Sequence, residues 1–225
     1  MSLQPTLEQE KIILEPSNIV VIAKPGSGKT FTLSKKIKCI LPELPYYKGV
    51  IAISFTNKAS DELERRCLSS GVDAKSSFFG TLDSFYLAEI IFPFGIHLFG
   101  MPENELNVIT LKELRDNDPE FLKSFSKDQG ITDAIISEIQ NIYLDGNIIL
   151  ETIGPLAIYV YDHSFSCRRY IRAKYTHVFV DEYQDCDKYQ HDFFIRLVNL
   201  GLKGIAVGDT DQSIFAFAEG VRKVV

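Results

Sequence analysis

The chain has 225 residues, of which 45% are hydrophobic, and it carries a formal net charge of −6. This composition is typical of a folded globular protein and excludes a fibrous, disordered or polycationic one. No apolar run approaches the ~18 residues that span a bilayer, and no basic segment with a following apolar stretch opens the chain, so we expect a cytoplasmic protein without a membrane partner.

The first predicted unit is a strand, a phosphate-binding loop and a helix. The apolar run Asn18–Ala23 is too short for a helix, whereas Phe31–Leu41 has helical spacing. The segment between them reads Lys24-Pro25-Gly26-Ser27-Gly28-Lys29-Thr30, with Ala23 at the position of the usual first glycine. This order predicts a site for a nucleoside triphosphate with Mg²⁺; a solvated turn capped by a lysine is the alternative.

Each residue type in this loop suits a phosphate ligand. Gly26 and Gly28 permit positive φ angles, which turn backbone N–H groups towards the phosphates at the positive end of the following helix. Lys29 supplies a mobile charge for the β- and γ-phosphates. The hydroxyl of Thr30 is a candidate ligand of the metal.

The middle of the chain interrupts the α/β rhythm. Two further strand–helix units come first, Gly49–Phe55 with Asn57–Ser69 and Ser76–Phe79 with Leu82–Ile91. Pro93 and Gly95 then break the pattern. Helical spacing returns in Ile131–Leu144 and Ile148–Tyr161. We therefore predict an α/β domain over residues 1–91 and 167–225, with a mainly helical insertion over residues 92–166.

A second strand carries the acidic residues that the chemistry needs. Thr176–Val180 is a buried-strand pattern that ends in Asp181-Glu182, and Tyr189–Leu200 and Gly204–Val207 follow as a helix and a short strand. Open parallel sheets bind ligands at the carboxyl ends of their strands. We interpret Asp181 as a magnesium partner and Glu182 as the base for the attacking water; an acidic pair that caps the next helix is the alternative.

Two sets of residues are interpreted without a ligand. Lys35, Lys36 and Lys38 follow the phosphate loop and are taken as a solvated helix face, with phosphate contacts as the alternative. The four cysteines are widely spaced, which favours reduced thiols over a zinc or iron–sulfur site.

Six segments resemble the motifs of the UvrD/Rep/PcrA group of superfamily 1 DNA helicases, in the family's order. They are Leu7-Glu8-Gln9 (Q motif), Ala23–Thr30 (motif I), Ser54-Phe55-Thr56-Asn57-Lys58-Ala59 (motif Ia), Gly80-Thr81-Leu82-Asp83-Ser84-Phe85 (motif Ib), Val180-Asp181-Glu182-Tyr183-Gln184-Asp185 with Gln190 (motif II), and Val207–Phe215 (motif III). The resemblance covers nearly the whole chain.

This resemblance implies a fold and an activity. The fold is an α/β, RecA-like P-loop NTPase core, a parallel sheet flanked by helices, with a 1B-like helical insertion. The activity is that of the ATP-binding first half of an ATP-dependent DNA helicase, a 3′–5′ translocase in repair or replication that uses ATP and Mg²⁺. The implied partners are single-stranded DNA, junctions of single- and double-stranded DNA, and a second RecA-like domain of 2A type outside this chain, in a monomeric protein; the chain alone is expected to be nearly inactive.

The resemblance also assigns site residues. Lys29, Glu182 and Gln212 are the candidate catalytic residues, and Thr30 and Asp181 the candidate metal ligands. The candidate nucleotide-binding residues are Gln9, Ala23, Lys24, Pro25, Gly26, Ser27, Gly28, Lys29, Thr30 and Phe31. The candidate DNA-binding residues are Phe55, Thr56, Asn57, Lys58, Thr81, Ser84, Phe215 and Phe217.

Alternatives exist for single residues and for the whole chain. Gln9 is suited to the edge of adenine, but Thr6-Leu7-Glu8-Gln9 is also a capping box that closes a helix start. Phe31, Asp83 and Ala218 stand where the family has arginine, histidine and arginine. A stand-alone, non-catalytic module that binds DNA or a helicase in response to nucleotide is the second candidate function, and a small-molecule kinase the third.

Overall fold

A computed structural model describes residues 4–24, 26–69, 71–114, 132–209 and 222–224. Of the predicted site residues, Pro25, Gln212, Phe215 and Phe217 lie outside these ranges. The chain divides into two compact units, Met1–Leu82 with Tyr170–Val225, and Asp83–Arg169. The limits predicted for the insertion, 92 and 166, fall within the second unit, and its identity as a 1B-like domain stays a prediction.

The first unit contains a six-stranded sheet in which all the pairings are parallel. Its order is β3-β2-β6-β7-β1-β8. The strands are β1 (Ile19–Ile22), β2 (Gly49–Ile53), β3 (Phe78–Gly80), β6 (Tyr175–Val180), β7 (Lys203–Gly208) and β8 (Arg222–Val224). The helices are α1 (Leu7–Leu14), α2 (Lys29–Ile40), α3 (Asn57–Leu68) and α8 (Lys188–Asn199). This is the predicted α/β fold, with a parallel sheet flanked by helices.

The core of the first unit explains why its strands read as continuous apolar runs. Every residue of β1 and β2 is buried, as expected for strands covered on both faces. Ile19, Val50 and Phe179 of the sheet belong to one buried cluster with Leu33 and Ile37 of α2. The helix that follows the phosphate loop is therefore held against the sheet by its own apolar stripe.

The carboxyl ends of the strands meet along one edge of the sheet. The N–H of Ala23, just past β1, donates to the carbonyl oxygen of Gly208 at 3.1 Å. The N–H of Asp181, just past β6, donates to the carbonyl oxygen of Ile53 at 3.0 Å. Residues that follow β1, β2, β6 and β7 in the sequence thus share this edge, where open parallel sheets bind their ligands.

The described part of the second unit is mainly helical, and it also contains two short strands that were not predicted. It contains a two-stranded parallel sheet, β4 (Asn107–Ile109) with β5 (Asn147–Ile149). The predicted helix Ile148–Tyr161 is wrong at its start, where β5 and a 3-10 turn, Leu150–Thr152, precede the helix. The helices are α4 (Leu82–Phe99), α5 (Asp133–Leu144), α6 (Ile153–His163) and α7 (Phe165–Lys174), of which α4 begins and α7 ends in the first unit.

Pro93 and Gly95 do not interrupt α4, contrary to expectation. A π-helical segment, Tyr86–Ile91, precedes Pro93 and shifts the hydrogen-bond pattern, so the helix continues through a residue without an N–H group. Gly95 lies against Tyr143 of α5, because an added Cβ would stand only 3.0 Å from the tyrosine hydroxyl. Close packing explains this glycine.

From the sequence we expected no apolar run near the length that spans a bilayer, and helix α4 shows that this expectation was wrong. Its 18 residues, with a mean hydropathy of 1.3, are long and apolar enough to cross a membrane by length and composition alone. The side chains of Phe85, Tyr86, Ile90 and Ile91 are fully buried within the protein. We therefore assign α4 to the core of the second unit.

Candidate nucleotide-binding site

The phosphate loop has the backbone that the sequence predicts. Gly26 has φ +78° and Gly28 has φ +85°, so the expectation of positive φ angles is confirmed at both positions. A Cβ at Gly28 would stand 2.9 Å from the side-chain amide nitrogen of Gln9. Glycine is needed here both for its conformation and for the close approach of Gln9.

The amino-terminal end of α2 is suited to an anion. Gly28 is its N-cap and has no side chain that could cap the helix. The first turn contains no acidic residue. Unpaired N–H groups and the positive end of the helix dipole together attract phosphate. The loop therefore fits a triphosphate by its donors as well as by its sequence.

Lys29 lies at the centre of this arrangement. Its side chain is only 8% exposed, and its Nζ lies 3.9 Å from the Oδ2 of Asp209, the first residue after β7. The same Nζ donates to the carbonyl oxygen of Ala23 at 3.4 Å. An anion that binds at Lys29 therefore competes with an internal carboxylate.

Thr30 and Asp181 form the candidate metal site. The hydroxyl of Thr30 donates to the Oδ2 of Asp181 at 2.7 Å, across 151 positions of the sequence. Oxygen ligands of this kind are those that Mg²⁺ prefers, and Mg²⁺ in nucleotide sites needs only one or two of them besides phosphates and water. The part of the chain that the structure describes contains no cluster of three His, Cys, Asp or Glu side chains arranged for a metal. The donor set thus fits a metal that arrives with a nucleotide.

Burial makes the charge on Asp181 unfavourable. The side chain is 4% exposed. Burial raises the pKa of Asp181 above its ordinary value, and the hydrogen bond from Thr30 only partly offsets this. A buried carboxylate without a full complement of donors is suited to a cation.

Replacing Asp181 with asparagine is expected to stabilise the protein in Mg²⁺-free buffer at pH 7. The folded-state pKa lies above the unfolded value of about 3.9, so the folded state disfavours the ionised form, and stability falls as pH rises through that window. Asparagine removes this cost. Asp181→Asn should raise the unfolding temperature by roughly 2–4 °C at pH 7 and leave it unchanged near pH 3. Scanning calorimetry at the two pH values measures this; a lower unfolding temperature for the variant at pH 7 contradicts it.

Glu182 is held in an unusual position. Its φ of +53° and ψ of +43° are in the left-handed region, which costs a residue other than glycine about 1–2 kcal/mol. Such backbone conformations cluster at functional sites. No residue pattern around Glu182 indicated this conformation.

Gln184 connects Glu182 to the end of the neighbouring strand. Its side-chain nitrogen donates to the Oε2 of Glu182 at 2.9 Å, and its side-chain oxygen accepts the N–H of Asp209 at 2.9 Å. One amide therefore orients the candidate base and holds the residue that pairs with Lys29. Gln184 was not among the predicted site residues, because its partner lies 25 positions away.

Gln9 forms the capping box that the sequence offered as an alternative to adenine recognition, and adenine recognition stays a prediction. Its side-chain oxygen accepts the N–H of Thr6 at 3.0 Å, and the hydroxyl of Thr6 accepts the N–H of Gln9 at 3.3 Å, which completes the capping box. Its side-chain nitrogen donates to the carbonyl oxygen of Ser27 at 3.0 Å. The side chain thus closes the start of α1 and contacts the phosphate loop.

Phe31, Ala23 and Lys24 complete the nucleotide candidates. Phe31 is half-buried in the first turn of α2, with the ammonium of Lys35 5.4 Å from its ring centre. Ala23 is half-buried and Lys24 is exposed. At the position where the motif resemblance implies an arginine, this chain presents an aromatic ring with a cation over it.

The candidate DNA-binding residues lie past β2 and β3. Phe55 is half-buried. Thr56, Asn57 and Lys58 are exposed, and Thr56 caps α3 by accepting the N–H of Ala59 at 3.2 Å. Thr81 is half-buried in the first unit, and Ser84 is half-buried in the second. Their DNA-binding role stays a prediction.

Comparisons with known proteins point to the same family as the motifs. The AAA domain family matches residues 8–218. The chain is 36% identical to Gabija protein GajB of Bacillus cereus and 25% identical to ATP-dependent DNA helicase PcrA of Bacillus subtilis, in each case over 93% of this chain. A probable DNA helicase II homolog of Rickettsia conorii is 26% identical over the same share. The chain spans 33–40% of the length of these three relatives.

Proposed function

Since this chain belongs to the AAA domain family and resembles its UvrD- and PcrA-type DNA helicases, we propose that it is the ATP-binding lobe of an ATP-dependent DNA helicase. The contact of Thr30 with Asp181 carries the proposal. It joins the loop after β1 to the acidic end of β6, the two parts that an ATPase site requires.

Each residue of the site has a proposed role in ATP hydrolysis. The N–H groups at the start of α2 and the ammonium of Lys29 bind the phosphates, and Thr30 and Asp181 hold Mg²⁺. Mg²⁺, when bound, supplies positive charge to the phosphate oxygens. The carboxylate of Glu182 accepts a proton from water as the new oxygen–phosphorus bond forms and the bond to the leaving phosphate breaks.

Gln184 supports this role of Glu182. Its donated hydrogen bond leaves the other carboxylate oxygen of Glu182 available to accept the proton, and it fixes the direction of the carboxylate. Precise orientation of a base contributes to rate because the reacting atoms must meet within hydrogen-bond distance.

We further propose that the edge past β2 binds single-stranded DNA. Phe55 offers a ring on which a base can stack, and the exposed Asn57 and Lys58 offer donors to the backbone. A second RecA-like lobe of 2A type, supplied by another segment or chain, would contribute arginines to the phosphates, worth about 10³–10⁵ in rate in related enzymes. By family resemblance the motor moves 3′–5′, acts on junctions in repair or replication, and works as a cytoplasmic monomer.

DNA-stimulated ATP hydrolysis tests this proposal. The product of the whole reading frame that contains this chain should hydrolyse ATP at least about tenfold faster with single-stranded DNA, a difference of about 1.4 kcal/mol in activation free energy. The 225-residue chain, assayed in parallel, should hydrolyse ATP slowly with or without DNA. If the whole product binds ATP but its turnover does not respond to DNA, a nucleotide-responsive binding module replaces the helicase.

A further inference from the structure

Lys36 is a buried lysine outside the predicted site. The sequence assigned it to a solvated helix face, but it is only 4% exposed. Its Nζ donates to the carbonyl oxygens of Ile12 at 3.0 Å, Ile13 at 3.0 Å and Glu15 at 2.5 Å. The expectation of a solvated side chain is therefore wrong at Lys36, and its ammonium joins α2 to the far end of α1.

Through these three contacts, a side chain of α2 caps the carboxyl end of α1. The last carbonyl groups of an α-helix have no partner within the helix, and its carboxyl end attracts positive charge. A lysine ammonium has three donors, and here each has a backbone carbonyl oxygen. Lys36 therefore satisfies the end of α1 and neutralises it at once.

Helix α1 is short and largely exposed. It has only eight residues, and helices this short are marginal without tertiary contacts. Ile12 is its one buried residue. Leu7 and Leu14 are 78% and 77% exposed. The position of α1 thus depends on Ile12, on Lys36 and on the contact of Gln9 with the phosphate loop.

Helix α1 and Lys36 of α2 border the same cavity. This cavity has a volume of about 380 Å³, and its lining includes Gln9, Lys29 and Lys36. Gln9 has a fixed orientation there, with its nitrogen on Ser27 and its oxygen on Thr6. A side-chain amide discriminates between bases only while its donor and acceptor keep their directions.

We propose that Lys36 is a positioning residue that sets the preference of the site for adenine nucleotides, because it holds α1, and with it Gln9, against the phosphate loop. The inference rests on the proposed function only in that the site binds nucleotides. Lys36 touches neither the phosphate loop nor the candidate metal ligands in the hydrogen bonds of the described residues, so it acts through α1.

Binding of fluorescent ATP and GTP with Mg²⁺ to the 225-residue chain tests the inference. Lys36→Met keeps an unbranched side chain as far as the ε position and removes the ammonium with its three donors. It should raise the Kd for ATP about tenfold and change the Kd for GTP less than about twofold. Lys38→Met is the matched control on the same helix, because Lys38 contacts Ser69 rather than α1, and it should leave both constants unchanged. Amide hydrogen exchange of residues 6–15 should accelerate in Lys36→Met alone.

A second variant keeps the test decisive if Lys36→Met does not fold. Glu10 is an exposed residue of α1, and Glu10→Gly loosens this helix without removing Lys36. Like Lys36→Met, it should reduce the ratio of the Kd for GTP to the Kd for ATP. Equal weakening of both nucleotides, an unchanged ratio in either folded variant, or a wild-type chain with no preference overturns the inference. A wild-type preference without DNA-stimulated hydrolysis refutes the helicase proposal alone.

Discussion

Glu182→Gln in the whole reading-frame product is expected to lower the rate of ATP hydrolysis measured with added single-stranded DNA by about 10²–10⁴-fold. The Kd for ATP should change less than about twofold. Glutamine keeps the size of the side chain and can still bond Gln184, but its amide cannot accept the proton of the attacking water. The carboxylate touches neither Thr30 nor Lys29 in the hydrogen bonds of the described residues, so binding should persist. Steady-state hydrolysis by the whole reading-frame product, with a separate binding titration, measures both quantities.

A matched control separates loss of the base from loss of a carboxylate in general. Glu62 pairs with Arg65 and Arg66 on the surface of α3, and exposed pairs of this kind contribute little to stability. Glu62→Gln should leave turnover within about twofold of the wild type. If Glu182→Gln instead weakens binding and turnover by the same factor, Glu182 positions the nucleotide and another group is the base.

Lys29→Ala is expected to weaken ATP binding by about 100-fold. A hydrogen bond to a charged group contributes about 1.5–3 kcal/mol, and every 1.4 kcal/mol changes the Kd tenfold. The substitution also removes the ammonium that lies 3.9 Å from the Asp209 carboxylate, so any repulsion between this carboxylate and a bound phosphate would be less compensated. Calorimetric titration with ATP and Mg²⁺ measures the effect, with Lys38→Ala as the control.

Two results would count against this role of Lys29. ATP binding within a few-fold of the wild type would mean that the N–H groups of the loop carry the affinity by themselves. Loss of binding together with loss of the folded state, seen by circular dichroism, would trace the effect to the buried environment of Lys29. Lys29→Arg, which keeps the charge, then distinguishes the two because it should restore folding.

Local patterns in the sequence predicted the centre of the site well. The run before Lys24 is short and apolar, and the residues after it combine positive-φ glycines with a helix start, so strand, loop and helix followed from neighbouring residues alone. The same holds for β6 and Asp181. Parallel pairing then brings these segments to one edge, as the general rule for open sheets requires.

Features that depend on distant partners could not be predicted in this way. Lys36 differs from Lys38 only in which side of α2 it occupies, and its carbonyl partners are 21–24 positions away. Strand β5 was not predicted because Ile148 and Ile149 suit a helix and a buried strand equally. The prediction of a helix break at Pro93 was wrong because proline normally ends a helix. The π-helical segment before Pro93 allows α4 to continue, and no sequence pattern indicated that segment.

The ion pair of Lys29 with Asp209 affects the free energy of nucleotide binding that would be measured for this protein. If ATP binds at Lys29 as proposed, it exchanges one anion for another, so the measured free energy is a difference between two electrostatic attractions. Added salt screens both of them. The affinity should therefore depend less steeply on ionic strength than the charge of a triphosphate suggests, and evolution can tune it at residue 209 without altering the phosphate loop.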